Sequence, residues 1–427
     1  MNVLTFYIDL DAYIDRVLML RAAAPALGHV EVLLGQGDAA RAAALETPFF
    51  KATPLSASPL SRPVREKRLY DAVMQRVGVG EVGDRRLPGG VSEGRQPGGV
   101  SVGREPGVGP IHVLHDTATY LLAAFARLRL ARRRPVLVSS SFTAAYEWFE
   151  DLRRQHPYRS TQYSRLRWTG FLQERATAHL ADAVTVFGEG HIGPFARCHG
   201  IPASKVHSLP NCCDPAQFAP VPAEEPDGAL TGFPAGTRVL LNVGNQFLYK
   251  GTWELLRAFA VVSRKHPEAR LLLVGAPHAG EAVPFRREVE ALGIDGRVRF
   301  LGRCPREKIP TLLCSADAFV FPSYTEGSPR AVIEAMACAR PIVATALPGI
   351  TTLDPDGEFI RRVPRADTAA LARALDDHLS STPAECLRRG EAARARFLAH
   401  HTPSAAAGPL VELYQRLVAA AGVPVNG

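Results

Sequence analysis

The sequence contains no run of about eighteen apolar residues, the length that a membrane-crossing helix requires. It does not open on a basic-then-apolar leader either, because acidic residues appear by Asp9. A cytoplasmic location is therefore expected. Cysteine is sparse, with seven residues (Cys198, Cys212, Cys213, Cys304, Cys314, Cys338 and Cys386), and no two share a Cys-x-x-Cys spacing. An odd count without that spacing argues against both a disulfide framework and a zinc site. The adjacent Cys212 and Cys213 read as packing residues. What is present describes a folded chain: hydrophobic residues make up 46% and charged residues 22%. Its 427 residues suffice for two domains with full cores.

The formal charge of +8 is unevenly spread. Residues 127–175 hold eleven Arg (127, 129, 132, 133, 134, 153, 154, 159, 165, 167, 175) against four acids (147, 150, 151, 174). An excess of this kind can attract anionic lipid, a phosphorylated acceptor or nucleic acid, and scattered solvated charge accounts for it equally well; no nucleic acid partner is expected. Within it, residues 153–175 interleave Arg153, Arg154, Arg159, Arg165 and Arg167 with Tyr158, Tyr163, Trp168 and Phe171. That mixture suits peripheral contact with the inner face of a membrane. A buried aromatic helix with exposed Arg accounts for the same residues.

Short apolar runs alternate with helical spacing along most of the chain, which predicts α/β architecture with parallel sheets. In the first half the runs fall at 2–9, 29–34, 111–115, 135–139 and 181–187, and in the second at 238–244, 269–275, 298–301, 318–322, 341–345 and 359–363. Residues 220–236, dense in Pro, Gly and acids, read as a linker. Residues 84–110 contain a near-repeat, PGGVSEGRQ at 88–96 and PGGVSVGRE at 97–105, and read as a low-complexity insertion.

The chemistry concentrates at 324–337, YTEGSPRAVIEAMA. Ser328 followed by Pro329 predicts an N-cap and a first helical position. Glu326 then precedes the helix and Glu334 lies inside it. A helix start carries unpaired N–H donors and a partial positive charge, a seat for phosphate, while a carboxylate beside it accepts from sugar hydroxyls.

Two Glu separated by seven residues and flanked by strand-like runs resemble the signature of retaining nucleotide-sugar glycosyltransferases of the GT-B fold, the group-1 family (glycosyltransferase family 4). The resemblance is strongest from 238 to 346. It implies two Rossmann-like domains facing across a cleft: 1–219 for the acceptor, 237–403 for the donor, and a terminal helix in 404–427 returning to the first domain. It implies that Glu326 meets the transferred sugar and Glu334 the ribose hydroxyls of the donor. Lys250, in GNQFLYKG at 244–251, stands where the family has a Lys that neutralises the leaving diphosphate. Asn245 stands where an Arg is usual, and Arg330 is a substitute cation. Backbone N–H groups of Gly327 and Ser328 would hold phosphate. Ser141 takes the strand-end position where many members have His, with His115 and Asp116 as further cleft candidates. No essential metal or other cofactor is expected, and the acceptor is a lipid-linked, polysaccharide or small molecule.

Two other readings stand beside this one. A degenerate GT-B scaffold that binds a sugar nucleotide or a partner without turnover accounts for Asn245, Ser141 and the absence of glycine from the loop at 9–13. That loop, with Asp9 and Asp11, is also similar to the first motif of haloacid-dehalogenase-type phosphatases.

Overall fold

The computed structural model describes residues 1–36, 39–55, 62–77, 111–116, 122–131, 134–141, 164–221, 231–234, 236–246, 250–277, 282–324, 326 and 328–422. The insertion at 84–110, Gly327 and residues 153–163 lie outside them, as do the side chains of 7–13, Asp116 and 164–169.

Strands rich in Val, Leu and Ile and covered on both faces are what βαβ crossovers produce. The first half runs β1 (Asn2–Asp9), α1 (Leu10–Leu27), β2 (His29–Gln36), α2 (Ala39–Ala43), β3 (Phe50–Pro54), α3 (Arg62–Val77), β4 (Val113–Asp116), α4 (Leu122–Arg129), β5 (Val136–Ser140), α5 (Ser164–Leu180), β6 (Ala183–Val186), α6 (Ile192–His199) and β7 (Val206–Ser208). The second half continues β8 (Arg238–Val243), α7 (Thr252–Lys265), β9 (Ala269–Val274), α8 (Ala282–Ala291), β10 (Val298–Gly302), α9 (Ile309–Cys314), β11 (Ala318–Phe321), α10 (Arg330–Ala337), β12 (Ile342–Thr345), α11 (Pro348–Leu353) and β13 (Ile360–Val363). The helices α12 (Thr368–Leu379), α13 (Pro383–His400) and α14 (Pro403–Ala420) close the chain.

One sheet takes the order β3-β2-β1-β4-β5-β6-β7 and the other β10-β9-β8-β11-β12-β13. The registers described within them are parallel. Each sheet grows outward one way from its first strand, then crosses over and grows the other way, the doubly wound pattern of a Rossmann-like domain. The chain has the α/β GT-B architecture of two such domains. By compactness its residues fall into two units: Met1–Ser141, Arg165–Thr185 and Leu410–Gly427 in one, Phe142–Ser164 and Val186–Pro409 in the other. Residues of α14 from Leu410 onward are grouped with the first unit.

Several local expectations change. β1 runs to Asp9 and α1 starts at Leu10, so the expected loop at 9–13 is not a loop: Asp9 ends a strand and Asp11 lies in a helix. Leu10 continues directly into helical residues, and no glycine or proline interrupts them before Pro25. The cysteines are all free, with Cys212 and Cys213 fully buried. Among the described residues no helix is long and apolar enough to cross a membrane.

Candidate functional site

In a doubly wound sheet, ligands bind outside the carboxyl ends of the strands where the order reverses. In the second unit that point lies between β8 and β11, which pair with each other. The chain leaving β8 passes Gly244, Asn245 and Gln246 and reaches Lys250; the chain leaving β11 passes Ser323 and Tyr324 and reaches Glu326. Lys250 Nζ is ion-paired with Glu326 Oε1. Ser323 Oγ donates to the same oxygen at 3.0 Å.

Gly251 explains how Lys250 comes so close. It caps α7 in the left-handed region (φ 70°), and a Cβ there would lie 2.1 Å from the Pro322 carbonyl oxygen. Only glycine permits both the conformation and the approach. Lys250 is also stationed beside an aromatic face, with Nζ 5.8 Å from the Phe321 ring centroid.

Glu334 lies on α10 with its side chain 7% exposed. Arg306 Nη1 donates to its Oε1 at 2.8 Å, and Arg330 Nε stands 3.6 Å from the same atom, one helical turn back. Arg306 follows β10, and its guanidinium lies 5.0 Å from the ring centroid of buried Phe218. Asn245 is exposed and carries no charge. Three cations and two carboxylates therefore surround the helix start.

The start itself is displaced from expectation. α10 begins at Arg330, and Pro329 is its N-cap (φ −73°, ψ 97°), with no side-chain cap. The Pro329 carbonyl accepts from Val332 N at 3.0 Å and Ile333 N at 3.2 Å, which makes it the first acceptor of the helix. Ser328 lies before the cap instead of serving as it. The Ser328 carbonyl accepts from Asn211 Nδ2 at 3.2 Å, and the Glu326 carbonyl from His191 Nε2 at 3.2 Å. Asn211 is held in turn, its own carbonyl accepting from His401 Nδ1 at 2.9 Å. His191, Asn211, Ser323 and Arg306 all shape the site, and none was singled out as a site residue by sequence motifs.

His115, Asp116 and Ser141 lie in the first unit. His115 is buried, with Nδ1 2.5 Å from the Tyr414 hydroxyl and Nε2 2.7 Å from Ser140 Oγ. Both ring nitrogens are thus committed, and Tyr414 ties α14 to β4. Asp116 ends β4. Ser141 Oγ donates to Glu174 Oε1 at 2.5 Å, which anchors α5 to the end of β5. Of the basic-aromatic segment, 164–175 form the first turns of α5.

Burial first, and the Arg16 guanidinium second, push the His115 pKa from 6.5 down to about 3; burial likewise brings His378 and His401 to about 4. These rings are neutral in the fold, whereas the unfolded chain takes up protons near pH 6.5. Their contribution is therefore complete above that pH and is lost as the pH falls towards 4 and below. Each adds a slope of about 1.4 kcal/mol per pH unit within its window. The urea midpoint should drop between pH 7 and pH 5, and His115→Gln should flatten that drop while lowering stability at pH 7. Equal midpoints at both pH values for the wild-type chain would refute this.

With this geometry in place, the comparisons are specific about one segment. Residues 227–396 match the family of glycosyl transferases group 1. The matched segment contains Lys250, Arg306, Glu326, Arg330 and Glu334. Over 188 residues the chain is 32% identical to a D-inositol 3-phosphate glycosyltransferase of Corynebacterium diphtheriae, covering 43% of each protein. The chain thus spans less than half the length of that relative. By structure it is similar to a sucrose-phosphate synthase from Thermosynechococcus elongatus, with TM-score 0.70 and 21% identity over 98% of this chain and 100% of that one. It is also similar to Anabaena HepE in complex with UDP and glucose, with TM-score 0.69 and 18% identity over 97% of this chain and 100% of that one.

Proposed function

We propose that this protein transfers a sugar from a nucleoside diphosphate sugar to an acceptor with retention of anomeric configuration, as a family 4 enzyme. The observation that carries the proposal is the Lys250–Glu326 pair at the switch point of the second sheet, one helix start away from Glu334. Departure of a nucleoside diphosphate develops negative charge, which a fixed cation and helix N–H dipoles stabilise. Lys250 is that cation, and the first turn of α10, led by Arg330, takes the remaining phosphate charge. Glu326 meets the transferred sugar and Glu334 the ribose hydroxyls. In a retaining displacement the departing phosphate can itself take the acceptor proton, so no separate base is assigned.

The donor belongs to the second unit and the acceptor to the first, with chemistry that needs no metal. UDP and glucose, named with HepE, and inositol 3-phosphate, in the name of the matched transferase, guide the first substrates to try: a UDP-sugar as donor and a phosphorylated polyol as acceptor. The test is nucleoside diphosphate release from a panel of UDP- and GDP-sugars in the presence of EDTA, with the anomeric configuration of the product read by proton NMR. Acceptor-dependent release with retention is expected. Release that stops on chelation, or an inverted product, would overturn the corresponding part.

One observation favours a second reading, a scaffold that binds the donor without turnover: Asn245 is exposed and uncharged where the family has Arg. Tight binding of UDP-sugar with no release under any acceptor would select it.

A further inference from the structure

We propose that Arg306 is the positioning residue that sets donor discrimination: by holding the Glu334 carboxylate, it fixes the acceptor through which this protein tells a ribonucleotide from its 2′-deoxy counterpart. This rests on the reading that Glu334 meets the donor ribose.

The two cations on Glu334 Oε1 are not equivalent. Arg330 approaches along its own helix to 3.6 Å with a side chain 41% exposed, a longer contact from a more exposed cation. Arg306 comes from a different element at 2.8 Å, with a side chain 20% exposed. Its guanidinium is held from two sides, with its carbon 5.0 Å from the centroid of the buried Phe218 ring and its Nη1 donating to the carboxylate. A planar guanidinium confined in this way holds Oε1 in place more firmly than a flexible ammonium does. Glu334 is anchored at its other end by a helix whose neighbours Val332, Ile333, Ala335 and Met336 are fully buried. Both ends of the glutamate are therefore fixed before any ligand arrives.

Fixing matters because a hydroxyl is recognised by the penalty for its absence. A polar atom that cannot turn away is left unsatisfied when the hydroxyl is missing, whereas a mobile one finds another partner. The arrangement predicts a preference that depends on Arg306 more than on overall stability.

The test is isothermal titration calorimetry of the full chain with UDP and with 2′-deoxy-UDP, on wild type, Arg306→Met and Arg306→Lys, with thermal melts in parallel. Wild type should favour UDP by about 10–100-fold. Arg306→Met should reduce the preference to within about threefold, chiefly by weakening UDP, and Arg306→Lys, which keeps the charge without the fork, should fall between. If Arg306→Met does not fold, Arg306→Lys decides alone: a ratio equal to wild type rejects the proposal. A loss of affinity equal for both nucleotides makes Arg306 merely structural and rejects it as well. Wild type that binds UDP without preference rejects it and the ribose role of Glu334 together. Wild type that does not bind UDP overturns the uridine-donor reading itself and this proposal with it.

Discussion

Lys250→Ala is expected to lower kcat for sugar transfer by about 10²–10³-fold, the usual effect of removing one fixed group that faces developing charge. The effect belongs in kcat and not in donor KM, because the charge to be stabilised grows as the diphosphate leaves. Lys250 suits this role by placement. Gly251 draws it against the β11 exit, the Phe321 ring stands beside its ammonium, and Glu326 holds it with a side chain only 23% exposed. Donor binding would bring the diphosphate to an ammonium already in position, so little reorganisation accompanies the reaction. Lys250→Arg retains charge but puts a wider group where Gly251 permits close approach, and should recover only part of the rate. Nucleoside diphosphate release at saturating donor decides the matter. A kcat for Lys250→Ala within threefold of wild type would remove Lys250 from the chemistry and shift attention to Arg330.

The sheet of the second unit was legible because its strands are largely buried and read as predominantly apolar runs: 238–244, 269–275, 318–322 and 341–345 each contain an observed strand. Glu326, Glu334 and Lys250 were singled out by their spacing between those runs, and the structure sets Lys250 against Glu326. Other features depend on contacts distant in sequence. Arg306 meets Glu334 across 28 residues and His191 meets Glu326 across 135, and neither carries a local pattern. The helix start was misplaced by one residue because Ser-Pro fits two registers. Only the carbonyl of Pro329, as first acceptor, selects between them. His115 looked available at a strand end; its partner Tyr414 lies 299 residues away.

Gly275→Ala should destabilise the protein by about 3 kcal/mol and impair transfer well below the melting temperature. Two effects combine at this position. Its φ of 124° is a conformation essentially reserved for glycine, and a Cβ there would lie 2.1 Å from the Gly244 carbonyl oxygen and 3.0 Å from Asn245 N. Strain and overpacking each cost about 1–3 kcal/mol. The turn that must yield is not free to do so. Gly244 N donates to the Val274 carbonyl at 2.9 Å, and buried Gln246 donates to the Gly244 carbonyl at 2.7 Å and accepts from Thr252 Oγ1 at 3.0 Å. Pushing Gly244 therefore moves Gln246, and with it the start of α7 on which Lys250 is placed. Gly293→Ala is the control, since Gly293 has φ 68° but nothing within 4 Å of an added Cβ. It carries a milder, left-handed strain without the crowding, about 1 kcal/mol. Thermal melts should show a shift of roughly 6–12 °C for Gly275→Ala and a much smaller one for Gly293→Ala, with activity lost only in the first. Equal shifts in the two variants would show that the contact with Gly244 carries none of the effect.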